Sequence, residues 1–205
     1  MTERQLLVLA TRNRGKTREI RRLLKDFPVE IRNLEDFGPI PPVEEDGTNF
    51  DENAYKKASF TAKVLGLPAL ADDSGLEVDA LGGDPGVHSA RYAGPGASDE
   101  ENNARLLREM EDKTNRVAAF ICVISIAVPS GLALTYEARC EGLIAEGPAG
   151  KGGFGYDPVF YYPPLNRTFA QLSPEEKNRV SHRGKALAEL KEEFEKVLVW
   201  IRQRL

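Results

Sequence analysis

The sequence predicts an α/β fold, a mixed β-sheet with helices packed on it. Three observations carry this. Short apolar runs of β-capable residues, such as 6–10 (LLVLA), alternate with stretches of helical period. Two long apolar runs, 115–129 and 132–144, meet at Pro129-Ser130-Gly131, the signature of a hairpin. Long hairpin strands argue against an all-parallel sheet, so a mixed one is expected.

The elements follow in order. LLVLA reads as a buried strand, and 17–27 as a helix whose Ile20, Leu23, Leu24 and Phe27 share one face. Residues 29–34 alternate as a strand, and 37–48 form a loop rich in Pro and Gly. A helix is expected over 49–66, with Ala54, Ala58, Ala62 and Leu65 on one side and Gly66 as its stop. PALAD and LEVDAL read as two strands joined across an Asp72-Asp73-Ser74-Gly75 corner. A glycine-rich loop (82–98) precedes a helix (99–112) with Asp99 and Glu100 near its start. After the hairpin come a second glycine loop (147–158) and an aromatic strand. Ser173-Pro174-Glu175-Glu176 is a capping box with proline at the first helical position. The last helix runs to about residue 203, with a break expected near Ser181-His182.

Composition narrows the function. A length of 205 residues suits one large domain or two small lobes. The net charge of -4 gives no basic footprint for nucleic acid, so any phosphate must be met by a few placed cations. Cys122 and Cys140 belong to no metal-binding spacing. No signal-peptide pattern or membrane-length apolar run is seen, and the cytoplasm is the expected location.

Five stretches could carry chemistry. TRNRGK (11–16) sits between a strand and a helix, and reads as a capped turn or as an anion site with Lys16 as its charge. Asn53 and Lys57 are one helical turn apart. EEDG (44–47) and ADDSG (71–75) are two acidic segments able to offer oxygen ligands, or else two solvated loops. Adjacent acids on an extended strand point oppositely, so Asp72 and Asp73 should not share one task. GGFGYDP (152–158) puts glycines on both sides of Phe154, which suits a flat ligand or a tight hairpin with Phe154 in the core. Lys177, His182 and Arg183 gather at the expected helix junction, where they could read a base or a phosphate.

Together, LATRNRGK, GTNFDENAYKKA, ALADDSGLEVDALGGDPGVHSARYAG, GGFGYDPVF and LSPEEKNRVSHRGKAL resemble the non-canonical purine nucleoside triphosphate pyrophosphatases. The stretches fall in that family's order over roughly residues 9–187. The resemblance implies an elongated mixed sheet of two lobes around a central cleft, a single catalytic domain over residues 1–205, and a homodimer. It implies hydrolysis of ITP, dITP and XTP to monophosphate and pyrophosphate with Mg²⁺, with neither nucleic acid nor membrane as partner. By the same resemblance Thr11, Arg12, Asn13, Arg14, Gly15, Lys16 and Lys57 hold the triphosphate. Asp73 is metal ligand and general base, and Glu44 is the second metal carboxylate, with Glu45 its alternative. Ser74 touches substrate, and Phe154, Gly155, Tyr156, Asp157, Lys177, His182 and Arg183 form the base pocket. Two other readings share much of this pattern: a pyrimidine or modified-nucleotide pyrophosphatase, and a nucleotide-binding protein without activity.

Overall fold

A computed structural model of the chain describes residues 4–205. The strands are β1 (Gln5–Leu9), β2 (Val29–Asn33), β3 (Ala69–Val78), β4 (Val117–Ala127), β5 (Ala133–Ile144), β6 (Phe160–Tyr162) and β7 (Arg167–Thr168). The helices are α1 (Arg14–Leu23), α2 (Phe50–Leu65), α3 (Asp99–Glu109), α4 (Pro174–Val180) and α5 (His182–Arg202). The sheet order is β2-β1-β3-β4-β5-β6-β7. β1 runs parallel to β2 and β3, whereas β6 is antiparallel to both β5 and β7. The expected mixed sheet is therefore present.

The chain divides into two compact units. The first holds residues up to Asp73, Val123–Glu137 and Ala186–Leu205; the second holds Ser74–Cys122 and Ala138–Lys185. The boundary falls inside β3, between the second aspartate and the serine of the DDSG stretch.

In the first unit, Ala58 and Ala62 of α2 pack on Val8, Ala69, Ala71 and Ala127 of the strands. Small residues on both surfaces let the helix lie close to the sheet. Asn49 caps α2 by accepting from the Glu52 N–H, and Gly66 ends it in the left-handed conformation. In the second unit the core is aromatic. Phe120 and Phe160 have ring centroids 4.6 Å apart, and Phe160 and Phe169 4.7 Å. The capping box at Ser173 and Glu176 opens α4, and Ser181 turns to an extended ψ of 156°, separating α4 from α5 as expected.

Two local expectations need correction. The helix after β1 spans Arg14–Leu23, not 17–27: Asn13 accepts from the Gly15 and Lys16 amides and caps its start, and the chain leaves the helix at Leu24, before Phe27. The larger correction concerns DDSG, which is no corner: β3 runs unbroken from Ala69 to Val78. Its neighbours β1 and β4 flank it in the sheet, and Asp72 and Asp73 are both buried. A place in the middle of the sheet outweighs the turn preference of Asp, Ser and Gly.

Candidate functional site

The first unit gathers lysines onto the two aspartates. Lys16, in the first turn of α1, places Nζ 2.5 Å from Asp72 Oδ1. Lys57 of α2 places Nζ 2.5 Å from Asp73 Oδ1 and 3.7 Å from Glu45 Oε1. Both ammonium groups also donate to the Asp72 carbonyl, at 3.1 and 3.2 Å. The neighbouring acids thus take different lysines, one from each helix.

The acidic loop before α2 is fastened to that helix. Asn53 Oδ1 accepts from the Gly47 N–H at 2.8 Å, and Glu52 Oε2 accepts from the Thr48 N–H at 2.8 Å. Lys56 donates to Asp46 at 2.7 Å. A Cβ on Gly47 would lie 2.5 Å from Asn53 Oδ1, so only glycine permits this approach. These contacts bring Glu45 to Lys57. Glu44 is exposed, within electrostatic reach of Lys56.

Burial pushes the Asp73 carboxyl above its ordinary value, and Glu45 adds to the rise; Lys57 and Lys16 oppose it. Such a carboxylate is more basic than a solvated one. Among the described residues no three His, Cys, Asp or Glu are grouped to hold a metal unaided. Magnesium does not need that, since it is bound through one or two carboxylates with substrate phosphates and water completing its shell. A lysine ammonium already stands between Asp73 and Glu45, which shows that the site favours a cation. The donor set fits Mg²⁺.

The TRNRGK turn is a capped turn. Thr11 Oγ1 accepts from the Asn13 N–H at 3.1 Å, and Asn13 Oδ1 takes the Gly15 and Lys16 amides. Arg12 donates to the Ile40 carbonyl at 3.1 Å, bracing the loop before α2, and Arg14 is exposed. Of this stretch, Lys16 is the side chain brought to the aspartates.

The second unit sets an aromatic ring under two cations. Phe154 is half-buried, with Lys177 Nζ 4.6 Å and the Arg183 guanidinium 5.3 Å from its ring centroid. Asp157 fixes the arrangement: its Oδ2 accepts from Lys177 Nζ at 2.5 Å and from the Phe154 N–H at 2.9 Å. Burial raises the Asp157 carboxyl, against the pull of Lys177. Arg183 also donates to Ser74 Oγ at 3.4 Å. His182 is buried and stacks on Phe120 at 4.5 Å, so it belongs to the aromatic core as well as to the junction.

Tyr156 stands apart from its neighbours. Its ring lies in the core, and its hydroxyl donates to the Ser89 carbonyl at 2.8 Å. It anchors the loop from beneath. Sequence reasoning did not find Ser89, nor Asp99 and Asn103, which bind the two backbone groups of Gly155. The last two were legible only as a one-turn spacing at the start of a helix.

Residues 7–193 match the model of the Ham1 family. The chain is 63% identical over 202 residues to a dITP/XTP pyrophosphatase of Syntrophobacter fumaroxidans, covering 98% of this chain and 87% of that protein. It is 61% identical over 200 residues to a dITP/XTP pyrophosphatase of Desulfotalea psychrophila, covering 98% and 90%. A solved HAM1 protein from Coxiella burnetii superposes with a TM-score of 0.88 at 44% identity, covering 94% of this chain and 99% of that one. The Staphylococcus aureus Ham1 protein gives 0.86 at 42% identity, with the same coverage.

Proposed function

Because the chain belongs to the Ham1 family, we propose that it hydrolyses the non-canonical purine nucleotides ITP, dITP and XTP to the monophosphate and pyrophosphate, keeping them out of DNA and RNA. Relatives sharing more than half of its residues over nearly its whole length carry the name dITP/XTP pyrophosphatase. The observation that carries the reading is the pairing of Lys16 and Lys57 with the adjacent buried acids Asp72 and Asp73.

A triphosphate brings about four negative charges, which must be offset before water can attack phosphorus. Lys16 and Lys57 supply two cations, and Asp73 and Glu44 would hold Mg²⁺. When bound, Mg²⁺ neutralises phosphate charge and makes the leaving pyrophosphate a better leaving group. Asp73, more basic than an ordinary aspartate, accepts the proton of the attacking water. That water adds to the α-phosphorus, the α–β bridge breaks, and pyrophosphate departs.

The base meets the second unit. Phe154 offers a stacking face, while Lys177 and Arg183 offer donors from over its ring. Hypoxanthine and xanthine present a 6-oxo acceptor to such donors; adenine presents a 6-amino donor and is disfavoured. We further propose a cytoplasmic homodimer, working where nucleotide pools are used; light scattering at micromolar concentration tests the dimer.

The experiment is pyrophosphate release with Mg²⁺ across ITP, dITP, XTP, ATP and a pyrimidine triphosphate. Preference for the first three is expected. Equal turnover of all five would remove the purine reading, and no release from any would remove the activity.

A further inference from the structure

Resting on the reading that Phe154 is the platform for the base, we infer that Asp99 and Asn103 of α3 form a clamp that sets substrate affinity and purine selection. They are positioning residues, one helical turn apart on one face. Asp99 Oδ2 accepts from the Gly155 N–H at 2.6 Å, and Asn103 Nδ2 donates to the Gly155 carbonyl at 3.0 Å. Both peptide planes of the residue after Phe154 are therefore held by a single helix. The Gly155 N–H lies in the same peptide plane as the Phe154 carbonyl, so fixing it fixes the backbone that aims the Phe154 ring.

Gly155 is where such a clamp has most effect. Its φ of 62° lies in the left-handed region, which glycine enters as readily as the right-handed one. Unheld, it would let the loop sample several orientations of Phe154. Held, the platform is formed before substrate arrives, and the ordering entropy is not charged to binding.

Asn103 carries a second indication. Its Nδ2 must be the end facing the Gly155 carbonyl, because only a donor satisfies it. That leaves Oδ1 buried without a hydrogen-bond partner. An unsatisfied buried acceptor lowers stability. A packing role at this buried position would be served better by leucine, so the residue is explained by the donor it gives the loop.

The test uses the full-length protein and Asn103→Leu, Asp99→Ala and Asp99→Asn, with ITP and ATP as substrates. Asn103→Leu and Asp99→Ala should raise KM for ITP about tenfold, with kcat within about twofold, since loop ordering moves from folding to binding. The ITP-over-ATP ratio of kcat/KM should fall. Asp99→Asn keeps an acceptor for the Gly155 N–H and should restore most of the affinity. Asn103→Leu should melt at or above the native temperature, which a merely structural asparagine would not allow. Native KM in both Asn103→Leu and Asp99→Ala, or a fall in kcat at unchanged KM, overturns the clamp. A native protein inactive on ITP overturns the functional reading instead. Hydrogen exchange then decides the clamp by itself: a Gly155 amide that exchanges faster in Asp99→Ala supports it, and an unchanged one overturns it.

Discussion

The Lys57 ammonium donates to Asp73 Oδ1 at 2.5 Å and to the carbonyl of Asp72 at 3.2 Å, so one side chain ties a helix to both members of the aspartate pair. Asp73 keeps only 7% of its surface exposed, and the desolvation that raises its carboxyl is opposed by this same lysine. Lys57 therefore favours the ionised form of the acid, and it partly offsets the rise in basicity that burial produces.

Asp73→Asn keeps the size and the acceptor for Lys57 but removes the base and the charge. The expected loss of kcat is about 10²–10⁴-fold, the range for removing a positioned proton acceptor. Far-UV circular dichroism and cooperative unfolding should persist, because Lys57 keeps the amide oxygen, the Asp72 carbonyl and Glu45 as partners. Near-normal pyrophosphate release by a folded Asp73→Asn would take the role of base away from this residue.

Glu44 and Glu45 stand in different surroundings within the acidic loop. Glu45 lies 3.7 Å from Lys57 and is engaged with a cation the protein supplies. Glu44 is the carboxylate that the proposed mechanism gives to Mg²⁺. Glu44→Gln should raise the Mg²⁺ concentration for half-maximal activity about tenfold or more, the scale on which loss of a metal-site contact is felt. Glu45→Gln should move it less. A Mg²⁺ titration of the two variants reverses the assignment if the order is inverted.

Glu176 gives a pH dependence with a definite sign. Arg167 and the Ser173 capping contacts draw its carboxyl from the usual 4.5 to about 2. A depressed folded value means stability that is present above the unfolded value and lost as pH falls toward 2. Glu176→Gln should therefore unfold at lower urea than native at pH 7. The gap should narrow below pH 4.5 and vanish near pH 2. A gap that is constant over this range would mean the carboxylate charge contributes nothing.

The sheet, the hairpin, the α4–α5 break and the alanine face of α2 were legible because periodicity and caps are local signals. DDSG misled because turn preference is also local, whereas its place between β1 and β4 is decided by distant residues. Asn53 and Lys57 could be read as one face, but only the fold shows that Asn53 accepts from Gly47 while Lys57 reaches Asp73. Tyr156 lay within a stretch assigned to the base pocket, yet its ring is core. Alternation cannot be read through a glycine loop, so the inward residue there was not recognisable. The grip of Asp99 and Asn103 on Gly155 spans more than fifty residues and leaves no pattern in either segment.

The Lys177–Asp157 pair is buried, with side-chain exposures of 8% and 2%. Removing one partner of such a pair typically costs about 3–5 kcal/mol, because the other charge is left without compensation. Lys177→Met should be destabilised on that scale at pH 7 and by less at pH 5. With the lysine gone, Asp157 takes up a proton in the folded state before it does in the unfolded chain, so native stability recovers as pH falls. The double variant Lys177→Met/Asp157→Asn should lose less than the sum of the singles. Urea unfolding of the four proteins closes this cycle, and strict additivity would mean the two side chains are not coupled.

Gly153 stands directly behind that pair. A Cβ there would lie 1.9 Å from Asp157 Oδ2, and its φ is 75°. Two separable costs follow from Gly153→Ala. The left-handed backbone alone costs about 1–2 kcal/mol for a residue with a Cβ. The clash must also displace the carboxylate, and with it the contacts to Lys177 and to the Phe154 N–H. Gly82→Ala isolates the first cost, because Gly82 has a φ of 67° and no atom within 4 Å of the added carbon. Both variants should melt below native, but only Gly153→Ala should raise KM for ITP, through loss of the ordered Phe154 face. Equal KM values in the two would mean that the platform does not depend on where Asp157 sits.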